Sequence, residues 1–366
     1  VKLLLADRTH DEALRRLIRE APMPGGIRLA FAREPDFFHA LAILGKLNQS
    51  IIATDSRGAI HGMGCRSIRP VFIHGEPTQL GYLSGLRIAP EARQGRLLAQ
   101  GYAFLHELHA DGAARAYLTT IVSGNRPARQ LLTSGRGGLP TYLPFGQFTT
   151  CALCIGRRKR RRVGNSPFRV QRATDFPVDQ LMQFLRTEGR KRQFFPVLEA
   201  EDLGSPYLRG LQHRDFYVAA AQGRIVGAAA AWDQSPFKQT LVAGYSGSLR
   251  MIRPLLNPLM AVAGFRDLPR PGSELRIRYV SFVCVAGNDP AVLSELLETI
   301  YADQQQGHAD FLVIGFHERD PLRESVRPFL AIRYESTLYL ACWEDGLAFV
   351  RNLDDGRIPF LDAATL

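Results

Sequence analysis

The sequence predicts a mixed α/β protein built from two similar halves, and three observations carry that prediction. At residues 86–105 a strand runs through a basic, glycine-containing turn straight into a helix. The pattern Gly58-Ala59-Ile60-His61-Gly62 returns 165 positions later as Gly223-Arg224-Ile225-Val226-Gly227. The succession of strand and helix patterns after each copy is also the same.

Taken in order, each Gly-x-Ile-x-Gly copy follows an apolar run. These runs are Ser50-Ile51-Ile52-Ala53-Thr54 and Phe216-Tyr217-Val218-Ala219-Ala220, so each pair reads as a β-hairpin. A strand is expected from Leu83 to Ile88. The helix after it rests on Leu98, Tyr102, Leu105 and Leu108 at three- and four-residue spacing, with Gly112 placed to end it. Ala116 to Ile121 reads as the next strand, Asn125 to Ser134 as a short helix, and Thr141 to Ile155 as a closing strand. The second half repeats this order. Its strand is Arg278 to Val285, its helix Pro290 to Gln304 and its next strand Phe311 to Phe316, then a short helix from Pro321 to Leu330 and a closing strand from Tyr334 to Trp343. The expected division is a first domain at 1–155, an Arg-rich linker at 156–164 and a second domain at 165–366, each long enough for a core.

The turn Arg93-Gln94-Gly95-Arg96 lies at a helix N-terminus, where unpaired backbone N–H groups and the positive end of the helix dipole favour an anion. Gly95 permits close backbone approach, and Arg93 and Arg96 add positive charge. The second half has Ala286-Gly287-Asn288-Asp289-Pro290 at the matching place, with a carboxylate and no basic residue. Net charge follows the same division: +7 over residues 1–155, −2 over 163–366 and +6 in the run between them. The first half is the one suited to an anionic ligand.

Composition narrows the class. With 46% hydrophobic and 22% charged residues, the 366-residue chain reads as an ordinary globular protein of about two domains. The Leu3-Leu4-Leu5 run is broken at Asp7, so no signal peptide is expected, and no apolar stretch is long enough to span a membrane. Five scattered cysteines point to a reducing, cytoplasmic setting without a disulfide frame. Cys151 and Cys154 lie three apart in a strand and face opposite sides, which is unsuited to a metal. His106 and His109 lack a third ligand nearby and read as a partly exposed helix face. The run Arg157-Arg158-Lys159-Arg160-Arg161-Arg162 reads as a solvated linker. No aromatic residue interleaves with it, so nucleic-acid binding is not favoured.

The segment Leu86 to Leu105 resembles the diphosphate loop of the GNAT superfamily of N-acetyltransferases, in which a strand ends, Arg/Gln-x-x-Gly-x-Gly/Ala follows and the next helix caps the diphosphate of acetyl-coenzyme A. Gly95 stands at the first glycine of that loop and Leu97 replaces the second. The resemblance implies two tandem GNAT-like domains, the first binding acetyl-CoA and the second degenerate. It implies that the backbone of Leu86, Arg87 and Ile88 pairs with the pantetheine arm, with an N–H near Ile88 stabilising the oxyanion. It further implies that Arg93, Gln94, Gly95, Arg96, Leu97 and Leu98 hold the diphosphate and that Asn125 lies along the cofactor. Asn125 read by itself is equally a helix N-cap.

The family's glutamate base falls here at Tyr82, and its acidic tyrosine falls at Leu132. Tyr82 or Tyr142, or an ordered water, is left to move protons, and buried structural tyrosines are the alternative. Asp36, Phe37 and Phe38 follow the second strand, where the family's acceptor cleft opens. They suit an ammonium flanked by rings, or a helix N-terminus packed by two phenylalanines. An insertion at 246–272 has an apolar face from Leu255, Leu256, Leu259, Met260 and Val262. It suits closure over the first cleft or a homodimer contact.

The resulting expectation is a bacterial-type, acetyl-CoA-dependent N-acetyltransferase acting on a small-molecule, peptide or protein amine. A non-catalytic acyl-CoA sensor or scaffold is the alternative class. Aminoacyl or peptide transfer is a third, with the Arg157 to Arg162 run as its only candidate RNA site.

Overall fold

Both copies of the glycine pattern form antiparallel hairpins, and the two hairpins end up near opposite edges of one sheet. The computed structural model describes residues 1–23, 27–89, 92, 96–136, 138–156, 167–247, 250–251, 257–258, 262, 264–265, 268–307 and 309–366. The first half contains β1 (Lys2–Leu5), α1 (Asp11–Arg19), β2 (Ile27–Ala32), α2 (Phe37–Ala42), β3 (Leu47–Thr54), β4 (Ile60–Ile73), β5 (Glu76–Ile88), α3 (Leu97–His109), β6 (Tyr117–Val122), α4 (Arg126–Leu132) and β7 (Thr141–Cys154). The second contains β8 (Arg169–Arg172), α5 (Val178–Gly189), β9 (Phe216–Ala221), β10 (Arg224–Trp232), β11 (Gln239–Tyr245), β12 (Glu274–Leu275), β13 (Ile277–Val285), α6 (Pro290–Gln306), β14 (Phe311–His317), β15 (Ala331–Cys342) and α7 (Glu344–Arg351).

Local chemistry accounts for the element ends. Gln222 and Gly223 both have positive φ (49° and 74°), as do His74 and Gly75 (54° and 84°), giving two-residue turns whose twist suits a hairpin. The helix α3 stops before Gly112, whose N–H donates to the His109 carbonyl at 3.0 Å. Asp289 caps α6 by accepting from the Ala291 N–H at 2.8 Å, with Pro290 at the first helical position. The second glycine of the repeated pattern has a packing reason. A Cβ on Gly62 would lie 3.3 Å from Leu97 Cδ2, and one on Gly227 only 2.5 Å from Val292 Cγ1, so each glycine lets the following helix close on the sheet.

Twelve described strands form the sheet in the order β1-β3-β4-β5-β6-β15-β7-β14-β13-β10-β9-β8. If β1, β3, β4, β5, β6 and β7 are matched in turn with β8, β9, β10, β13, β14 and β15, the order reads the same from either edge. The last strands are exchanged: β7 pairs with β14, β15 pairs with β6, and the two pair with each other at the centre. The ranges 1–155 and 165–366 therefore share one sheet. A smaller sheet, β12-β11-β2, again joins the halves, because β2 pairs with β11.

Three expectations change. β5 starts at Glu76, not Leu83, because the β4–β5 ladder runs to the turn at His74-Gly75. The segment from Pro321 forms a 3-10 helix only to Val326, and Pro328, which has no N–H, cannot continue its hydrogen bonds. His109 is buried, with Nδ1 2.8 Å from the Tyr117 hydroxyl and Nε2 3.0 Å from Asp345, so it ties α3 to β6 and α7. Arg93, Gln94, Gly95, the run Arg157 to Arg162, and Leu255, Leu256, Leu259 and Met260 lie outside the described residues. Among the described residues no helix is long and apolar enough to cross a membrane.

Candidate functional site

The strands β5 and β6 run parallel and pair only at Gly81↔Tyr117 and Tyr82↔Leu118. Beyond that point they part. The β4–β5 register passes from Met63↔Arg87 to Cys65↔Ser84, so Gly85 and Leu86 together oppose Gly64 in a β-bulge. A bulge bends its strand and takes one residue out of the ladder. Gly85 holds the bulge in left-handed conformation at φ +65°, where a side chain is disfavoured. The opening is a cleft of about 510 Å³ that continues beneath the β2-β11-β12 sheet.

Many of the residues singled out in the sequence meet here. Leu86, Arg87 and Ile88 of β5 border the cleft, as do Leu97 and Leu98 of α3 and Asn125, Tyr82 and Tyr142. Asn125 also caps α4 by accepting from the Ala128 N–H at 3.3 Å. Tyr82 is only 2% exposed, and burial pushes its phenol above the ordinary value, with Arg69 pulling the other way. Tyr142 shares a 2.5 Å hydrogen bond with Tyr102, and burial raises both phenols, Tyr142 most. Arg96 stands exposed at the N-terminus of α3. Asp36, Phe37 and Phe38 do not border the cleft. Asp36 caps α2 through the Phe38 N–H at 2.7 Å and pairs with Arg8, while Phe37 is buried near Leu14 and Ile52.

Other cleft residues were not legible as site residues. Tyr102 is visible in the sequence only as part of the apolar stripe of α3. Lys238, just before β11, and Tyr279, on β13, come from the second half, and no local signal exists for either long-range placement. Lys238 Nζ donates to the Ala364 carbonyl at 2.8 Å and the Leu366 carbonyl at 3.0 Å, and burial draws its pKa down. Arg87 and Lys238 are the only charged side chains among the described residues bordering the cleft, where no acidic side chain and no imidazole is found.

The matching place in the second half has the same backbone and a different content. β13 and β14 pair through Tyr279↔Val313 and then part. The β10–β13 register passes from Ala228↔Cys284 to Ala230↔Ser281, and Phe282 takes left-handed φ at +52° where the first half has Gly85. Here the bulge is engaged by the chain itself. The Phe282 N–H donates to Asp362 Oδ2 at 2.9 Å, and Asp362 Oδ1 accepts from the Ala364 N–H at 2.9 Å. The 3-10 turn Ala363–Thr365 packs against both β13 and β14. Asp362 is 4% exposed, and burial raises its pKa.

No protein-family model matches the chain, and no curated protein matches it. Solved structures do. One is a GCN5-related glucosamine N-acetyltransferase region of a fungal multi-domain β-N-acetylglucosaminidase, 12% identical with TM-score 0.61, matched over 93% of this chain and 38% of that one. This chain thus spans well under half of that protein. A GCN5-related N-acetyltransferase from Anabaena variabilis is 9% identical with TM-score 0.51, over 93% of this chain and 72% of that one. A conserved Enterococcus faecalis protein of unknown function, described as a probable N-acyltransferase, is 9% identical with TM-score 0.52, over 94% and 73%. With the parted parallel strands, the bulge and the palindromic sheet order, this chain has the fold of the GCN5-related N-acetyltransferases in two tandem copies.

Proposed function

We propose that this chain transfers an acyl group from a coenzyme A thioester to an amine, with one thioester site per chain, in the first half. The observation that carries this reading is the contrast between the two partings: the β5–β6 parting opens into a cleft, whereas the β13–β14 parting is filled by Asp362 and the Ala363–Thr365 turn. In this reading Leu86, Arg87 and Ile88 pair with the pantetheine arm through backbone groups. Arg93, Gln94, Gly95, Arg96, Leu97 and Leu98 hold the diphosphate, and Asn125 lies alongside. Asp289, which caps α6, disfavours an anion at the equivalent helix of the second half.

Transfer forms an N–C bond and breaks the C–S bond. The amine, with an ordinary pKa of ~10.4, loses a proton before attack, and the departing sulfur takes one up. A buried phenol that stays protonated at neutral pH suits the sulfur side, which is the role proposed for Tyr82, with Tyr142 as the alternative donor. The proton from the amine leaves to solvent, since no acidic side chain or imidazole borders the cleft among the described residues. That same absence favours a second reading, a CoA-thioester-binding protein without turnover.

Titration calorimetry on the full chain tests the first reading: one CoA or acetyl-CoA site per chain is expected. At a hundredfold excess over Kd the ligand should add about 2.7 kcal/mol of stability, read as a raised melting temperature. Two sites per chain, or none, overturn it. Acyl transfer to an amine panel separates the enzyme from the non-catalytic binder.

A further inference from the structure

We propose that the acyl group seated in this cleft is an apolar chain substantially longer than acetyl. This rests on the reading that a coenzyme A thioester lies along β5. The cleft does not end beside the bulge. It runs on between the two sheets, roofed by Leu29 of β2 with Val242 and Leu275 of β11 and β12, and floored by Ala152, Val313 and Ile332 of β7, β14 and β15. A chamber of this kind exists because the closing strands are exchanged and β2 crosses to β11, so each half supplies part of it.

Its chemistry selects the occupant. The described walls carry no acidic side chain, and the Lys238 amine is turned to the main-chain oxygens of Ala364 and Leu366. An ammonium-bearing acceptor entering the chamber would lose its hydration and meet no acidic side chain among the described residues, which is strongly unfavourable. A two-carbon acyl group would leave the apolar walls facing water or a void, forfeiting both hydrophobic and dispersion energy. A flexible hydrocarbon chain attached to the thioester satisfies these walls, because it needs no polar partner and follows the opening from the bulge inward.

The test is calorimetry on the full chain with free CoA and with acetyl-, butanoyl-, hexanoyl- and octanoyl-CoA, without acceptor. Affinity should rise about fourfold for each methylene that enters the chamber. Octanoyl-CoA should then bind at least a hundredfold more tightly than acetyl-CoA. Equal affinities along the series, with CoA still binding at one site, overturn the long chain and leave acyl transfer standing. No binding of any thioester overturns both. Octylamine that binds alongside both acetyl-CoA and octanoyl-CoA, together with a flat series, assigns the chamber to an acceptor and overturns the proposal. Thr150→Trp, which narrows the floor on β7, should cut the octanoyl-to-acetyl preference at least tenfold, and Thr150→Val should preserve it. An unchanged preference in folded Thr150→Trp overturns the location, and the wild-type series decides the matter independently of that variant's folding.

Discussion

In the first half the strands that part after Tyr82 and Leu118 leave a cleft, and in the second half the strands that part after Tyr279 and Val313 close on Asp362 and Ala363–Thr365. The backbone device is the same in both: a bulge, with Gly85 at φ +65° and Phe282 at +52°. Phe282 tolerates a conformation that costs a non-glycine residue roughly 1–2 kcal/mol because its ring is buried and its N–H is held by a carboxylate. Gly85 is exposed and, having no Cβ, takes the same conformation without that cost. What a parting of strands becomes is decided by what reaches it. A distant piece of chain fills one, and the other is left for a ligand.

The largest expected effect breaks the filled side. Asp362→Ala removes the acceptor for two buried N–H groups, those of Phe282 and Ala364, and should cost about 2–5 kcal/mol in urea unfolding. A loss under 1 kcal/mol means that the carboxylate does not hold the tail. The pH dependence has a definite sign. Burial raises the folded pKa of Asp362 above its unfolded value, so folding favours the neutral form more than the unfolded chain does. Its contribution is complete below the ordinary carboxyl value and is lost as pH rises through the folded pKa. Wild type should therefore gain stability relative to Asp362→Asn as pH is lowered from 7 towards 4.

On the open side, Tyr82→Phe should lower turnover at least tenfold, about 1.4 kcal/mol of barrier, with little change in CoA affinity. Tyr142→Phe is the paired control. If only the Tyr142 variant loses turnover, the donor moves to the Tyr102–Tyr142 pair.

Gly85→Ala forces a Cβ into left-handed backbone, 3.3 Å from Cys65 Sγ, and should cost about 1–2 kcal/mol of stability and weaken CoA binding severalfold. Unaltered CoA binding would place the thioester away from the bulge. The smallest effect sharpens the comparison of the two helix N-termini. Arg96→Ala should reduce CoA affinity two- to fivefold at low salt and less at 0.5 M salt, because an exposed charge acts through a screened field. Asp289→Ala at the other terminus should leave CoA affinity unchanged.

Much of the local structure was legible because its causes are local. Hairpin turns come from glycines that accept positive φ, α3 from an apolar stripe ending near Gly112, and the Asn125 cap from a side chain that reaches the N–H three residues on. The duplication was legible because Gly62 and Gly227 answer the same packing demand. Asp36 shows the limit of such reading: a carboxylate beside two aromatic residues suits a cation site, yet here it is engaged by Arg8 and the Phe38 N–H.

By itself, then, the sequence determined the order of the elements around and after each glycine pattern, the twofold repeat and the unequal charge of the two helix N-termini, since spacing, turn chemistry and charge are properties of short segments. Only the tertiary structure decided that β7 and β15 change places, that β2 crosses to β11 to roof an apolar chamber, and that Asp362 reaches the Phe282 bulge. Those pairings join residues from about eighty to more than two hundred positions apart. Strand ladders and buried hydrogen bonds select such partners by shape and satisfaction in the folded state, and neither leaves a signature in the adjacent residues.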